Sequence, residues 1–295
     1  MGAAAEIVSM MNNKGIVLAG WGDYKGAKNC FRQALLKAQK DEKKCQSTNK
    51  PTRLLQDIPR ARSYMSSLQI NVEKLLALSN NSFADKTASY RPEYDEGMDN
   101  FKFPFDLSNK SRNMIGTVLF NMGRLAQNQR NFRDALGLFW ESLVAVHSSG
   151  IQHEPTEVAA LFCIGQIQYI IGEFEPSLAT YHIALSLAER LFGGDSLEVA
   201  ASLNCIGILH YVSPEGDIQA GMAALQKSLY LRQKYQGQDH VDVGTTWNNI
   251  GRLHYHDSKV DHALSAYEES LRIRKLHHRE SADIAATLFK YVFRF

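Results

Sequence analysis

No stretch of this chain of 295 residues approaches the roughly 18 consecutive apolar residues that cross a bilayer, so no membrane insertion is expected. An excess of either charge is lacking too. The 33 Lys and Arg stand against 31 Asp and Glu, a net of +2, which removes the electrostatic basis for nucleic acid as the main partner. Local basic spots such as Arg60-Ala61-Arg62 read as a solvated helix face. Cysteine is scarce: Cys30, Cys45, Cys163 and Cys205 contain no CxxC pair, so neither a zinc site nor a redox pair is written in the chain. The expectation is reduced thiols acting as small, half-buried apolar residues, in a cytoplasmic or nuclear protein. The opening MGAAAEIVSMM has no basic region, so no secretory signal is expected. It starts Met-Gly, but Glu6 stands where a myristoylation motif takes Ser or Thr.

Catalytic motifs are missing as well. There is no GxxxxGK[ST] loop, no GxGxxG after a strand and no HExxH; "FGGDS" (192–196) joins two helices and has neither phosphate-binding spacing. His254 and His256 lie two apart, which on a helix points them about 200° from each other, a poor chelate. His277-His278 sits near a helix end, where imidazole suits the helix dipole. Glu268-Glu269 has no opposed carboxylate. The expectation is no enzyme, no cofactor and no metal, with the histidines in packing or surface roles.

What the chain does have is a phrase written twice. "EVAALFCIG" (157–165) returns as "EVAASLNCIG" (198–207). The closing glycine recurs at Gly123, Gly165, Gly207 and Gly251, separated by 42, 42 and 44 residues. Each follows a large apolar residue, Met122, Ile164, Ile206 or Ile250. Another stands four before the glycine, at Leu119, Leu161, Leu203 and Trp247, on one helical face. A second helix follows each time. It carries a small residue (Ala135, Ser177, Gly221, Ala263), then a large one four on (Phe139, Tyr181, Leu225, Tyr267), then a small one three further (Ser142, Ala184, Ser228, Ser270). Small residues let two helices approach, and the large one fills the gap between them. The 44-residue step comes from "SPEGD" (213–217), whose Pro214 and Gly216 lengthen the inner turn. The N-terminal stretch fits the same template, with Gly15 in the first helix and Tyr24, Ala27, Phe31 and Ala34 in the second.

This pattern resembles the tetratricopeptide repeat (TPR), and its period of about 42 residues resembles the long repeats of kinesin light chains. The resemblance implies an all-α, TPR-like superhelical solenoid of about five helical hairpins plus a C-terminal capping helix. Paired amphipathic helices cannot bury both faces alone and share one core when stacked, which requires the same architecture. The expected organisation is a TPR-like hairpin at 1–45, a helix plus an irregular insert at 46–110, and a tandem array at 111–295. Within the array the repeats are 116–149, 158–191, 200–235 and 244–277, with a cap at 281–293. Helices are expected near 3–20, 24–44, 60–78, 111–128, 132–148, 155–171, 175–191, 196–212, 217–236, 239–256, 260–277 and 281–293. Residues 79–110, with Phe101, Phe103 and Phe105 alternating with Lys102 and Pro104, read either as a loop pinned by aromatics or as a strip lying in the array's own groove.

Candidate binding residues follow from the first helix of each repeat, counted so that the glycine is eighth. The fifth, sixth, ninth and twelfth positions face the inner curve. The candidates there are Asn121, Arg124, Gln166, Tyr169, Asn204, Tyr211, Asn248, Asn249, Arg252 and Tyr255. Amides bond a peptide backbone in both senses, Arg grips carboxylates, and Tyr gives contact area at low entropic cost. The competing reading packs the tyrosines between neighbouring first helices and pairs Arg124 and Arg252 with local acids. The set that would grip a chaperone's acidic tail, Lys and Asn, then Asn, then Lys and Arg in three successive first helices, is not present. The function expected is a non-enzymatic scaffold or adaptor holding a protein or peptide partner in its groove. The alternative is a structural subunit held through its convex face and ends. The tail "ADIAATLFKYVFRF" (282–295) holds too many apolar residues for one helix face, so self-association through it is expected.

Overall fold

The computed structural model describes residues 3–45, 114–148 and 155–277. These form ten α-helices: α1 Ala3–Gly20, α2 Tyr24–Cys45, α3 Met114–Asn128, α4 Phe132–Ser148, α5 Pro155–Ile170, α6 Phe174–Phe192, α7 Leu197–Val212, α8 Ile218–Gln236, α9 Val241–His256 and α10 Val260–His277. Among the described residues the expected helices are present with bounds shifted by at most three residues. The expected helices at 60–78 and 281–293, the insert at 79–110 and the apolar tail lie outside the described residues. The chain divides at Ile167, within α5, into two compact units. The first holds α1–α4 and α5 as far as Ile167; the second begins at Gln168 and holds α6–α10.

In the first unit α1 pairs with α2 and α3 with α4, and α2 and α1 both lie against α3. Val8 of α1, Ala27, Phe31 and Ala34 of α2 and Val118 and Leu119 of α3 make one core. In the second unit α6 lies against α7, α7 pairs with α8 and α9 with α10, and the first helices α7 and α9 touch directly.

The four hairpins that lie within one unit close on the recurring glycine. A Cβ on Gly15 would lie 2.5 Å from the Phe31 ring, and one on Gly123 would lie 2.7 Å from the Phe139 ring. In the second unit a Cβ on Gly207 would lie 2.5 Å from Leu225, and one on Gly251 would lie 2.7 Å from Tyr267. Gly165 is buried. The large residues are themselves buried, Phe31, Phe139, Tyr181 and Leu225 almost completely. The small serine of the second helix does more than make room. Ser142 Oγ donates to the Gly116 carbonyl and Ser228 Oγ to the Ala200 carbonyl, each at 2.7 Å, tying second helix to first.

The inner turns share a geometry that accounts for the lengthened repeat. The seventh residue after the glycine is left-handed at Gly22 (φ 83°), Arg130 (φ 57°), Gly172 (φ 80°) and Ser258 (φ 59°). Each of these turns closes with the same pair of backbone bonds, as in Gly22 N–H to Ala19 and Asp23 N–H to Leu18, both carbonyls of the helix just ended. In the remaining repeat this position is Pro214, whose ring forbids positive φ. The chain takes a longer path there. Gly216 packs on the His210 backbone so tightly that a Cβ would collide with the His210 carbonyl. The Asp217 N–H donates to His210 Nδ1 at 3.1 Å. The Asp217 carboxylate then caps α8, accepting from the N–H groups of Gln219 and Ala220.

A buried charge ties α8 to α9. Arg232 Nη1 donates to the Asp242 carbonyl at 2.8 Å and to Thr246 Oγ1 at 2.7 Å. Burial pulls the guanidinium pKa down, and the Asp242 carboxylate opposes this. Cys163 and Cys205, expected to be half-buried, are wholly buried free thiols, because they sit where neighbouring first helices meet. Burial pushes the Cys163 thiol up to about 12, with Arg124 pulling the other way, so it stays a neutral packing group.

Two outcomes are expected. Gly207→Leu overpacks a crossing and should cost about 1–3 kcal/mol, while Phe139→Ala leaves a cavity and should cost about 3–5 kcal/mol, both read from urea unfolding. The second concerns pH. Burial holds the His210 imidazole below its ordinary 6.5, with Asp217 opposing and His182 adding to the shift. His147 and His254 are lowered the same way, by burial first. The unfolded histidines therefore take protons before the folded ones do as pH drops below about 6.5. Their share of stability is whole above that point and is lost below it. The urea midpoint should fall between pH 7.5 and 5.5, and His210→Gln should flatten the fall.

Candidate partner-binding surface

The candidates divide between the units: Asn121, Arg124 and Gln166 in the first, and Tyr169, Asn204, Tyr211, Asn248, Asn249, Arg252 and Tyr255 in the second. Within each unit neighbouring first helices are joined by two kinds of contact, and the register is the same in both. The first joins the fifth position of one helix to the sixth of the next. Asn121 Nδ2 of α3 donates to Asn12 Oδ1 of α1 at 2.9 Å. Asn249 Nδ2 of α9 donates to Asn204 Oδ1 of α7 at 3.0 Å. The second joins the twelfth position to the ninth of the next helix. Gln127 Nε2 of α3 donates to Gln166 Oε1 of α5 at 2.8 Å. Arg252 of α9 lies over the Tyr211 ring of α7, with the guanidinium carbon 5.0 Å from the ring centroid.

These contacts decide how much of each candidate faces outward. Asn204, Asn248, Asn249, Tyr169 and Tyr211 are buried, and Tyr169 packs its ring 5.9 Å from that of Phe174. Asn121, Arg124, Gln166 and Arg252 are half-buried, and Tyr255 is exposed. His256 sets its ring 5.6 Å from Tyr211, on the side chain that carries Arg252. In the Asn204–Asn249 pair, Asn204 Nδ2 and Asn249 Oδ1 are buried with no hydrogen-bond partner, leaving one donor and one acceptor unused. Sequence reasoning placed these residues on the first helices but missed the offset that pairs them. The signal was an Asn at the fifth position followed by an Asn at the sixth in the next hairpin. Among the described residues no group of three or more His, Cys, Asp or Glu is placed to hold a metal ion. None of their helices is long and apolar enough to cross a membrane.

The comparisons with known proteins agree with this geometry. Two family models, each for the tetratricopeptide repeat, match residues 8–36 and 214–275. Among solved structures, the kinesin light chain-like protein BtubC (BKLC) from P. vanneervenii is similar with a TM-score of 0.61 at 16% identity, over 95% of this chain and 86% of that one. At that identity the likeness is one of fold. No curated protein matches the chain in sequence. Residues 8–36 and 214–275 thus carry tetratricopeptide repeats, and the described residues are all-α helical hairpins of that kind. Such repeats are a protein-interaction scaffold in general and typically carry no catalysis.

The paired amides generate a prediction. Asn249→Ala strips Asn204 of its partner in a buried site and should cost about 1–3 kcal/mol. Elsewhere in the chain the fifth and sixth positions are the apolar Phe120 and Cys163. Asn204→Leu combined with Asn249→Leu should therefore recover much of that loss, as a double-mutant cycle in urea would measure.

Proposed function

We propose that the protein is a non-enzymatic adaptor that holds a peptide segment of a partner along its first helices, and that it reads a carboxylate on that segment. The observation that carries this reading is Arg252, fixed over the Tyr211 ring and next to the exposed Tyr255. A guanidinium already held in place loses little freedom on gripping a carboxylate in a fork, and Tyr and Arg are the residues on which binding energy concentrates. Arg124, at the ninth position of its own repeat in the first unit, offers the same group. The free thiols Cys30, Cys163 and Cys205 suit a reducing compartment, the cytosol or the nucleus.

Panning a random peptide-display library on the full chain, then measuring the selected peptides by fluorescence anisotropy, tests the reading. The selected peptides should share an acidic residue and bind more weakly as salt rises. Arg252→Ala should weaken them about tenfold, the value of one charged hydrogen bond, and Arg252→Lys should not restore them, because a lysine lacks the fork. Peptides that bind equally well to Arg252→Ala and Arg124→Ala would sink the proposal.

A further inference from the structure

The outward face of α1 is unlike the rest of the described surface. Ile7, Met10, Lys14, Val17 and Trp21 are spaced 3, 4, 3 and 4 apart. Trp21 stays in helical register, its N–H bonded to the Val17 carbonyl at 3.1 Å. The stripe runs about 21 Å along the helix, at 1.5 Å per residue. Its apolar members are exposed: Ile7 by 40%, Val17 by 49%, Met10 by 71% and Trp21 by 81%. The other face of α1 is already in use, with Val8 in the core and Met11 and Leu18 packed against it. Scattered exposed apolar residues are ordinary, but four in one heptad row on a helix whose core face is satisfied are not.

The row has the a/d pattern of a coiled-coil seam, with Lys14 at its central a position. That lysine selects the occupant. The residues three and four away on α1 are Met10, Met11, Val17 and Leu18, none of them acidic. A second copy of the chain paired in parallel is disfavoured, because that register sets Lys14 against Lys14, and paired antiparallel it sets each Lys14 against an apolar d residue with no carboxylate to meet it. A helix with apolar a and d residues and a carboxylate facing Lys14 satisfies both the apolar row and the charge. The net charge of the hairpin favours an acidic partner too: over residues 5–40, Lys14, Lys25, Lys28, Arg32, Lys37 and Lys40 outnumber Glu6 and Asp23. We propose that the exposed heptad row of α1 is a docking site for an amphipathic helix of a partner protein, carrying an acidic residue opposite Lys14.

The probe is a labelled three-heptad peptide with Leu at a and d and Glu at its central a position, titrated with the full chain and followed by anisotropy. It should bind at least tenfold more tightly than the same peptide with Lys at that position. Trp21→Ser and Met10→Ser should each weaken it at least tenfold while leaving the melting curve unchanged, since both residues are exposed. Lys14→Glu should reverse the preference between the two peptides, an effect that lost packing alone would not produce. Three results would overturn the proposal. One is absence of binding, or equal binding of both peptides. Another is a dimer of the full chain in light scattering that Trp21→Ser dissolves, which would assign the row to a second copy. The last is co-sedimentation with phosphatidylserine vesicles, abolished by Trp21→Ser, when neither peptide binds.

Discussion

The hairpins that lie within one unit depend on the contact between a glycine on the first helix and a bulky side chain on the second. Where Gly123 meets Phe139, or Gly251 meets Tyr267, there is room for a hydrogen and nothing larger. That constraint sets the crossing point to within one residue, because the next position along either helix faces elsewhere. With the crossing set, the serine three residues beyond the bulky one falls under the first helix's carbonyl, as Ser142 and Ser228 do. The glycine therefore acts as a datum for the whole repeat, from which the other contacts are at constant distance.

The links between repeats follow from the same datum. The fifth-to-sixth and twelfth-to-ninth pairings hold in both units, although the residues that make them differ: two amides in one place, a guanidinium on a phenol ring in another. Conserving the offset while changing the chemistry is what a stack of equivalent helices requires, since the offset belongs to the backbone and the chemistry to the side chains. The repeat with Pro214 shows the tolerance of the scheme. Its turn cannot go left-handed, so its path lengthens and is held by the His210 imidazole and the Asp217 cap. The crossing of Gly207 on Leu225 in that repeat is nonetheless as tight as the others.

The helices and their crossings were legible in the sequence because both are set by spacing within one hairpin. The recurring small and large residues mark the crossings, and Pro214 and Gly216 mark a turn between two helices. The partners of the candidate residues were not legible. A sequence shows that Asn204 and Asn249 lie on equivalent faces, but the one-residue offset that lets them bond is a property of two packed helices. For the same reason Tyr169 and Tyr211, read as lining a groove, are buried, and of the three tyrosines only Tyr255 is exposed. The row on α1 was hidden differently. Ile7-Val8 and Met10-Met11 put apolar residues on both faces at once, so the helix shows no polar side to contrast with an apolar one.

The two proposed surfaces thus differ in physical kind. Around Arg252 most of the binding groups already serve the fold: the Tyr211 ring supports the guanidinium, and Asn204 and Asn249 spend one bond on each other. What remains for a ligand is a few directional groups held rigid, an arrangement that favours selectivity over area. On α1 the reverse holds. None of the exposed apolar residues Ile7, Met10, Val17 and Trp21 belongs to the core cluster of its unit, and the row offers area with a single charge to orient it. A partner read by Arg252 is sensitive to salt and to the loss of one carboxylate. A partner held by the row is sensitive chiefly to the loss of buried apolar surface, with Lys14 deciding which helix is accepted rather than how tightly.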